Sequence, residues 1–114
     1  MNLSELLNVT SGVVINNMKS DKRFDKISIN SKEVQKNSLF IALKGKNHDS
    51  HDYLEEVIKK RPAFILVEKD IFIKTKIPII KVDSCLDSLI KIGSYYRNNF
   101  HGKVICITGS AGKT

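Results

Sequence analysis

Short apolar runs alternate along this chain with stretches at helical spacing, and that alternation predicts an α/β protein. Leu39-Phe40-Ile41-Ala42-Leu43, Ala63-Phe64-Ile65-Leu66-Val67 and Ile79-Ile80-Lys81-Val82 read as strands. Val104-Ile105-Cys106-Ile107 reads as a short buried strand of a parallel sheet. Val13-Val14-Ile15 is a brief strand candidate, and Ile27-Ser28-Ile29-Asn30 alternates as a half-buried strand does.

The helices announce themselves by their ends. Asn2 followed by Glu5 predicts a capped first helix carrying Leu3, Leu6 and Leu7 and ending by Ser11-Gly12. A second helix is expected after Asp49 or Ser50. Asp52, Glu55 and Glu56 load its early turns, and Lys59, Lys60 and Arg61 match the macrodipole at its end. Tyr53, Leu54, Val57 and Ile58 would form its buried stripe, and Pro62 would end it. Ser84 and Asp87 resemble a capping box opening a third helix, with Leu86, Leu89, Ile90, Gly93, Tyr96 and Phe100 as its apolar positions. Between these elements, Asn30-Ser31-Lys32 and Gln35-Lys36-Asn37-Ser38 are turn sequences. Strands separated by helices imply βαβ units and a largely parallel sheet.

Composition narrows the class. The chain has 114 residues, 41% hydrophobic and 27% charged, which suits one ordinary globular domain. No apolar run approaches the roughly 18 residues of a membrane span, and the first residues lack an export signal, so a cytoplasmic protein is expected. Cys85 and Cys106 have neither a CxxC spacing nor a disulfide framework and read as reduced thiols. The net charge of +7 raises nucleic-acid binding, but the lysines are scattered, with no dense basic run and no aromatic stacking motif between them. A solvated lysine surface accounts for them better, and no nucleic-acid partner is expected.

The strongest chemistry is at the end. Directly after the last strand comes Thr108-Gly109-Ser110-Ala111-Gly112-Lys113-Thr114, a compact phosphate loop. It departs from the standard Walker pattern, whose first Gly would fall on Ile107. Gly109 and Gly112 let backbone N–H groups turn in around a phosphate. Ser110 and Ala111 keep the loop small, Lys113 brings charge to the β/γ-phosphates, and the Thr114 hydroxyl suits Mg²⁺. ATP and Mg²⁺ are the expected cofactors. A glycine turn that happens to carry a lysine is the plain alternative. A helix would be needed after Thr114, so the chain reads as the front part of a longer protein, inactive alone. The expected organisation is a Rossmann-like N-terminal domain over residues 1–102, with short strands and flanking helices. Residues 103–114 would be the first strand and P-loop of a truncated ATP-binding domain.

Two separated spans together resemble one family. Ser38-Leu39-Phe40-Ile41-Ala42-Leu43-Lys44-Gly45, followed by His48-Asp49-Ser50-His51-Asp52-Tyr53, is similar to a block of the Mur ligases, which extend the stem peptide of the peptidoglycan precursor. Asn30-Ser31-Lys32 stands where the family has Asp-Ser-Arg, and Thr108 to Thr114 matches its Thr-Gly-x-x-Gly-Lys-Thr loop. The loop and Tyr95-Tyr96-Arg97 are more similar to the branch adding D-alanyl-D-alanine than to the sibling adding the third stem residue.

The resemblance implies an ATP-dependent carboxylate–amine ligase acting through an acyl phosphate. A UDP-N-acetylmuramoyl-peptide and D-alanyl-D-alanine would be its small-molecule partners, and a monomer is expected. Ser31, Lys32, Lys44, Gly45, Asp49 and His51 are by motif position the candidates for the UDP-sugar site. Gly109, Ser110, Ala111, Gly112, Lys113 and Thr114 are the candidates for ATP. No residue here takes a catalytic role. Lys32 keeps the charge of the family's Arg but not its bidentate fork, and Ser50 replaces a Gly. Four of these UDP-site candidates also have a structural reading: Ser31, Lys32 and Gly45 as turn residues, Asp49 as a helix cap. His48 and His51 with the nearby aspartates lack a third well-placed ligand for a metal. A non-catalytic UDP-sugar-binding module, or an unrelated P-loop NTPase, are the other readings.

Overall fold

The structure is a computed structural model that describes residues 1–44, 50–99 and 106–108. Its helices are α1 (Leu3–Thr10), α2 (Leu54–Lys59) and α3 (Cys85–Asn99). Its strands are β1 (Val13–Val14), β2 (Lys26–Ser28), β3 (Leu39–Ile41), β4 (Phe64–Val67), β5 (Ile79–Lys81) and β6 (Cys106–Thr108). Two 3₁₀ turns, Ser31–Glu33 and Ser50–Tyr53, complete the list.

The strands form one sheet in the order β1-β5-β4-β3-β2-β6. All neighbours are parallel except β1, which runs antiparallel to β5. From β2 the chain steps one way through β3, β4 and β5, then returns through α3 to place β6 on the other side of β2. The winding direction therefore reverses at β2, a topological switch point.

Alternation along each strand sorts side chains to two covered faces. Ile27, Leu39, Ile41, Phe64, Leu66, Ile80 and Val82 pack with Leu6, Cys85 and Ile92 on one face. Phe40, Ala42, Ile65, Val67 and Ile79 pack with Leu54 and Val57 on the other. That three-layer arrangement explains why β4 is an unbroken apolar run with all four residues fully buried.

Ser28 departs from the sequence expectation. Its strand was to be half-buried, yet Ser28 is fully buried. The β2–β3 crossover covers that face, and the hydroxyl is satisfied by Ser38 Oγ at 3.1 Å and by the Gln35 N–H at 3.3 Å. A small polar side chain lets the crossover lie close.

The first helix forms as its ends dictate. Asn2 Oδ1 accepts from the Glu5 N–H at 2.9 Å while Glu5 Oε1 accepts from the Asn2 N–H at 3.0 Å, a reciprocal capping box. Ser11 closes it in the left-handed region, φ 57°.

The other two helices require corrections. The second begins as a 3₁₀ turn at Ser50 and becomes α-helical only at Leu54, with Tyr53 at the N-cap and no side-chain cap there. Tyr53 is consequently exposed, while Leu54 and Val57 are buried as expected. On α3, Ser84 Oγ caps the Asp87 N–H at 3.1 Å as predicted, but the buried face differs. Cys85, Ser88 and Ile92 face the sheet, whereas Leu86 and Ile90 are 56% and 59% exposed. The apolar spacing fits two helical phases, and contact with the sheet selects the one through Ile92. Residues 68–78, between β4 and β5, contain no helix.

Candidate functional site

Parallel strands end along one sheet edge, and the candidate residues that the structure describes gather there. The chain leaves β2 at Ser28, and three residues later enters the 3₁₀ turn Ser31–Glu33. Asn30 Oδ1 accepts the Lys32 N–H at 2.9 Å and the Asn30 carbonyl accepts the Glu33 N–H at 3.0 Å. Short polar side chains favour this local bonding over an extended strand. Ser31 is buried and Lys32 exposed. Lys44 follows the end of β3, the adjacent strand, and is also exposed.

His51 reaches the same edge from the second 3₁₀ turn. Its Nε2 accepts the N–H of Glu68, the first residue after β4, at 2.9 Å. In that geometry the proton of a neutral ring sits on Nδ1. Glu68 Oε1 in turn accepts the Cys85 N–H at 2.7 Å, holding the start of α3. The imidazole is 7% exposed, so a structural contact to β4 is built into the residue that motif position nominated for substrate.

The structure thus brings Ser31, Lys32, Lys44 and His51 to the C-terminal edge of β2, β3 and β4. Gly45, Asp49 and Gly109 to Thr114 lie outside the described residues, and with them the phosphate loop and its Thr114 metal ligand. Strand β6, which the loop follows in sequence, pairs in register with β2: Lys26 with Cys106, Ile27 with Ile107, Ser28 with Thr108. The proposed boundary at His101-Gly102 also falls outside the described residues.

Sequence reasoning passed over two residues at this edge. Lys60 was read only as a helix-end cation, yet its Nζ donates to the carbonyls of Ser31 at 3.0 Å and Lys32 at 2.7 Å. Glu68 carried no signal, since an acid after a strand reads as ordinary loop. Among the described residues no buried side-chain N or O lacks a hydrogen-bond partner. No group of three or more His, Cys, Asp or Glu is placed to hold a metal among them either. No helix of the described residues is long and apolar enough to cross a membrane.

No family model matches the chain. It is 40% identical over 111 residues to the UDP-N-acetylmuramoyl-tripeptide--D-alanyl-D-alanine ligase of Rickettsia prowazekii (strain Madrid E), covering 97% of the chain and 24% of that protein. It is 38% identical over 119 residues to the ligase of the same name from Buchnera aphidicola subsp. Baizongia pistaciae (strain Bp), covering all of the chain and 25% of the relative. A UDP-N-acetylmuramoyl-L-alanyl-D-glutamate--2,6-diaminopimelate ligase of Fusobacterium nucleatum is 31% identical over 117 residues, covering 95% of the chain and 23% of that protein.

In structure the chain resembles MurF of Acinetobacter baumannii, with a TM-score of 0.75 at 23% identity over 85% of the chain and 21% of the other, a likeness of fold. A MurF ligase of Thermotoga maritima in complex with ADP gives 0.59 at 31% identity, covering 65% of the chain and 17% of that protein. The α/β sheet with its flanking helices matches that of the Mur ligase N-terminal domain, and along its length the chain is similar to members of that family. Within it, the chain is most like the UDP-N-acetylmuramoyl-tripeptide--D-alanyl-D-alanine ligases. It spans about a quarter of the length of these relatives.

Proposed function

We propose that this chain is the substrate-anchoring part of an ATP-dependent amide ligase of peptidoglycan precursor synthesis. The ligase joins D-alanyl-D-alanine to a UDP-N-acetylmuramoyl-tripeptide in the cytoplasm. ATP transfers its γ-phosphoryl group to the terminal carboxylate of the tripeptide, leaving ADP. The amine of the dipeptide attacks the acyl phosphate, an amide forms, and phosphate departs. Ser31, Lys32, Lys44, Gly45, Asp49 and His51 hold the UDP end. Gly109 to Thr114 hold the ATP phosphates, with the Thr114 hydroxyl on Mg²⁺. Residues 1–102 form the anchoring domain and 103–114 open the nucleotide-binding one.

The observation that carries this reading is the placement of Ser31, Lys32 and Lys44 after adjacent parallel strands beside the switch point, where open α/β sheets receive ligands. Exposed ammonium groups at such an edge suit a diphosphate. Relatives that add 2,6-diaminopimelate, at 31% and 36% identity, support the sibling activity as a second reading.

Calorimetry of the 114-residue chain with UDP-N-acetylmuramoyl tripeptide, and separately with ATP, tests the assignment. Weak but saturable binding of the uridine compound, with little or no binding of ATP, is expected. Tight ATP binding with indifference to uridine compounds would overturn it.

A further inference from the structure

We infer that Lys60 is a positioning residue for the turn that presents Ser31 and Lys32. The inference rests on the reading that this turn meets the UDP end of the substrate.

A lysine at a helix C-terminus ordinarily serves its own helix or reaches into solvent. Lys60 does neither. It sits just past α2, and its Nζ crosses to the carbonyl oxygens of Ser31 at 3.0 Å and Lys32 at 2.7 Å, 29 and 28 positions away in sequence. The carbonyls of a single 3₁₀ turn have no following turn to bond them, so an ammonium with three donors on a compact head is a matched cap. Charge-assisted bonds of this kind are stronger than neutral ones.

The rest of the crossover is tied to the same helix end. The Asn37 N–H donates to the Arg61 carbonyl at 2.9 Å and the Ala63 N–H to the Ser38 carbonyl at 2.7 Å. Arg61 reaches this position in the left-handed region, φ 56°. At the opposite end of the turn, Asn30 Oδ1 holds the Lys32 N–H. The turn is therefore fixed at its amide end by Asn30 and at its carbonyl end by Lys60. What is left outward is the exposed Lys32 side chain, carried on a backbone with little freedom to swing. Lys60 has its ammonium committed to backbone oxygens, so it acts on the ligand through the turn.

Lys60→Met keeps the stem and removes the donors, and Lys60→Arg restores them. Amide exchange of Lys32 and Glu33, followed by NMR on the chain without ligand, is expected to quicken about tenfold in Lys60→Met, with Ile41 and Leu66 unchanged. Affinity for UDP-N-acetylmuramoyl tripeptide is expected to fall about tenfold in Lys60→Met and to recover in Lys60→Arg. In a Lys32→Met background the further loss from Lys60→Met should shrink, since the side chain being positioned is gone; a full additive loss means direct ligand contact and overturns the inference. Unchanged exchange at Lys32 and Glu33, or unchanged affinity in Lys60→Met while the wild type binds, also overturns it. A wild type that binds no uridine compound sinks the functional reading first, and this role with it.

Discussion

The Tyr95 hydroxyl donates to Glu5 Oε2 at 3.0 Å, joining α3 to α1. The other Glu5 oxygen is already engaged by the Asn2 N–H in the capping box, and Arg23 Nη1 stands 3.7 Å away. Glu5 is held below the ordinary carboxylate range, chiefly by the Asn2 backbone N–H, then by the Tyr95 hydroxyl, with the nearby N-terminal amine and Arg23 assisting. A depressed folded pKa contributes stability above the unfolded value of about 4.3 and loses it as pH falls through the folded one. Urea midpoints at pH 7, 5 and 3 should therefore show Glu5→Gln less stable than wild type at pH 7. The two should converge at pH 3, and a constant gap would refute the linkage.

Gly93 lies inside α3, and a Cβ built there meets nothing within 4 Å. Gly93→Ala should stabilise the protein by about 0.5–1 kcal/mol through the smaller conformational freedom of the unfolded chain. A thermal midpoint raised by a few degrees is the readout.

Gly12 is the opposite case. A Cβ there would lie 2.5 Å from Ile80 Cγ2 and 3.0 Å from Val82 Cγ1, because the turn after α1 presses on β5 and the residues after it. Gly12→Ala is expected to cost about 1–3 kcal/mol, the range for overpacking a core, in chemical denaturation.

The phase of α3 is testable by contrast. Ile90→Lys on the exposed side should change stability by no more than about 0.5 kcal/mol, while Ile92→Ala should cost about 2–5 kcal/mol. Equal losses would mean the helix is rotated from the position described.

His51→Phe keeps an aromatic body but leaves the Glu68 N–H without its acceptor at the end of β4. A loss of about 1–3 kcal/mol is expected in urea unfolding. If stability is unchanged while affinity for the uridine compound falls, the imidazole belongs to the ligand alone.

Much of the scaffold was legible because the central strands β3, β4 and β5 lie in apolar runs and the starts of α1 and α3 carry their own caps. Asn2 with Glu5 and Ser84 with Asp87 located two helix starts by local bonding, which sequence displays directly. Burial of Ser28, exposure of Leu86 and Ile90, and the bare start of α2 at Tyr53 were not legible, since each depends on what packs opposite. The site divides similarly. Ser31 and Lys32 were findable as a turn after a strand, whereas the bonds from Lys60 and Glu68 span 17 to 29 positions and follow no local pattern.

Strand β4 has an implication for the chain before it folds. Phe64-Ile65-Leu66-Val67 is the kind of uncharged, β-prone run that templates copies of itself when bare, and only completion of both covering layers removes it from water. Lys59, Lys60, Arg61 and Pro62 precede it, and Glu68, Lys69 and Asp70 follow. Stacking identical chains in register would bring like charges together at both ends and leave Pro62 unable to bond its neighbour. Those flanks keep newly made copies apart until the helices arrive.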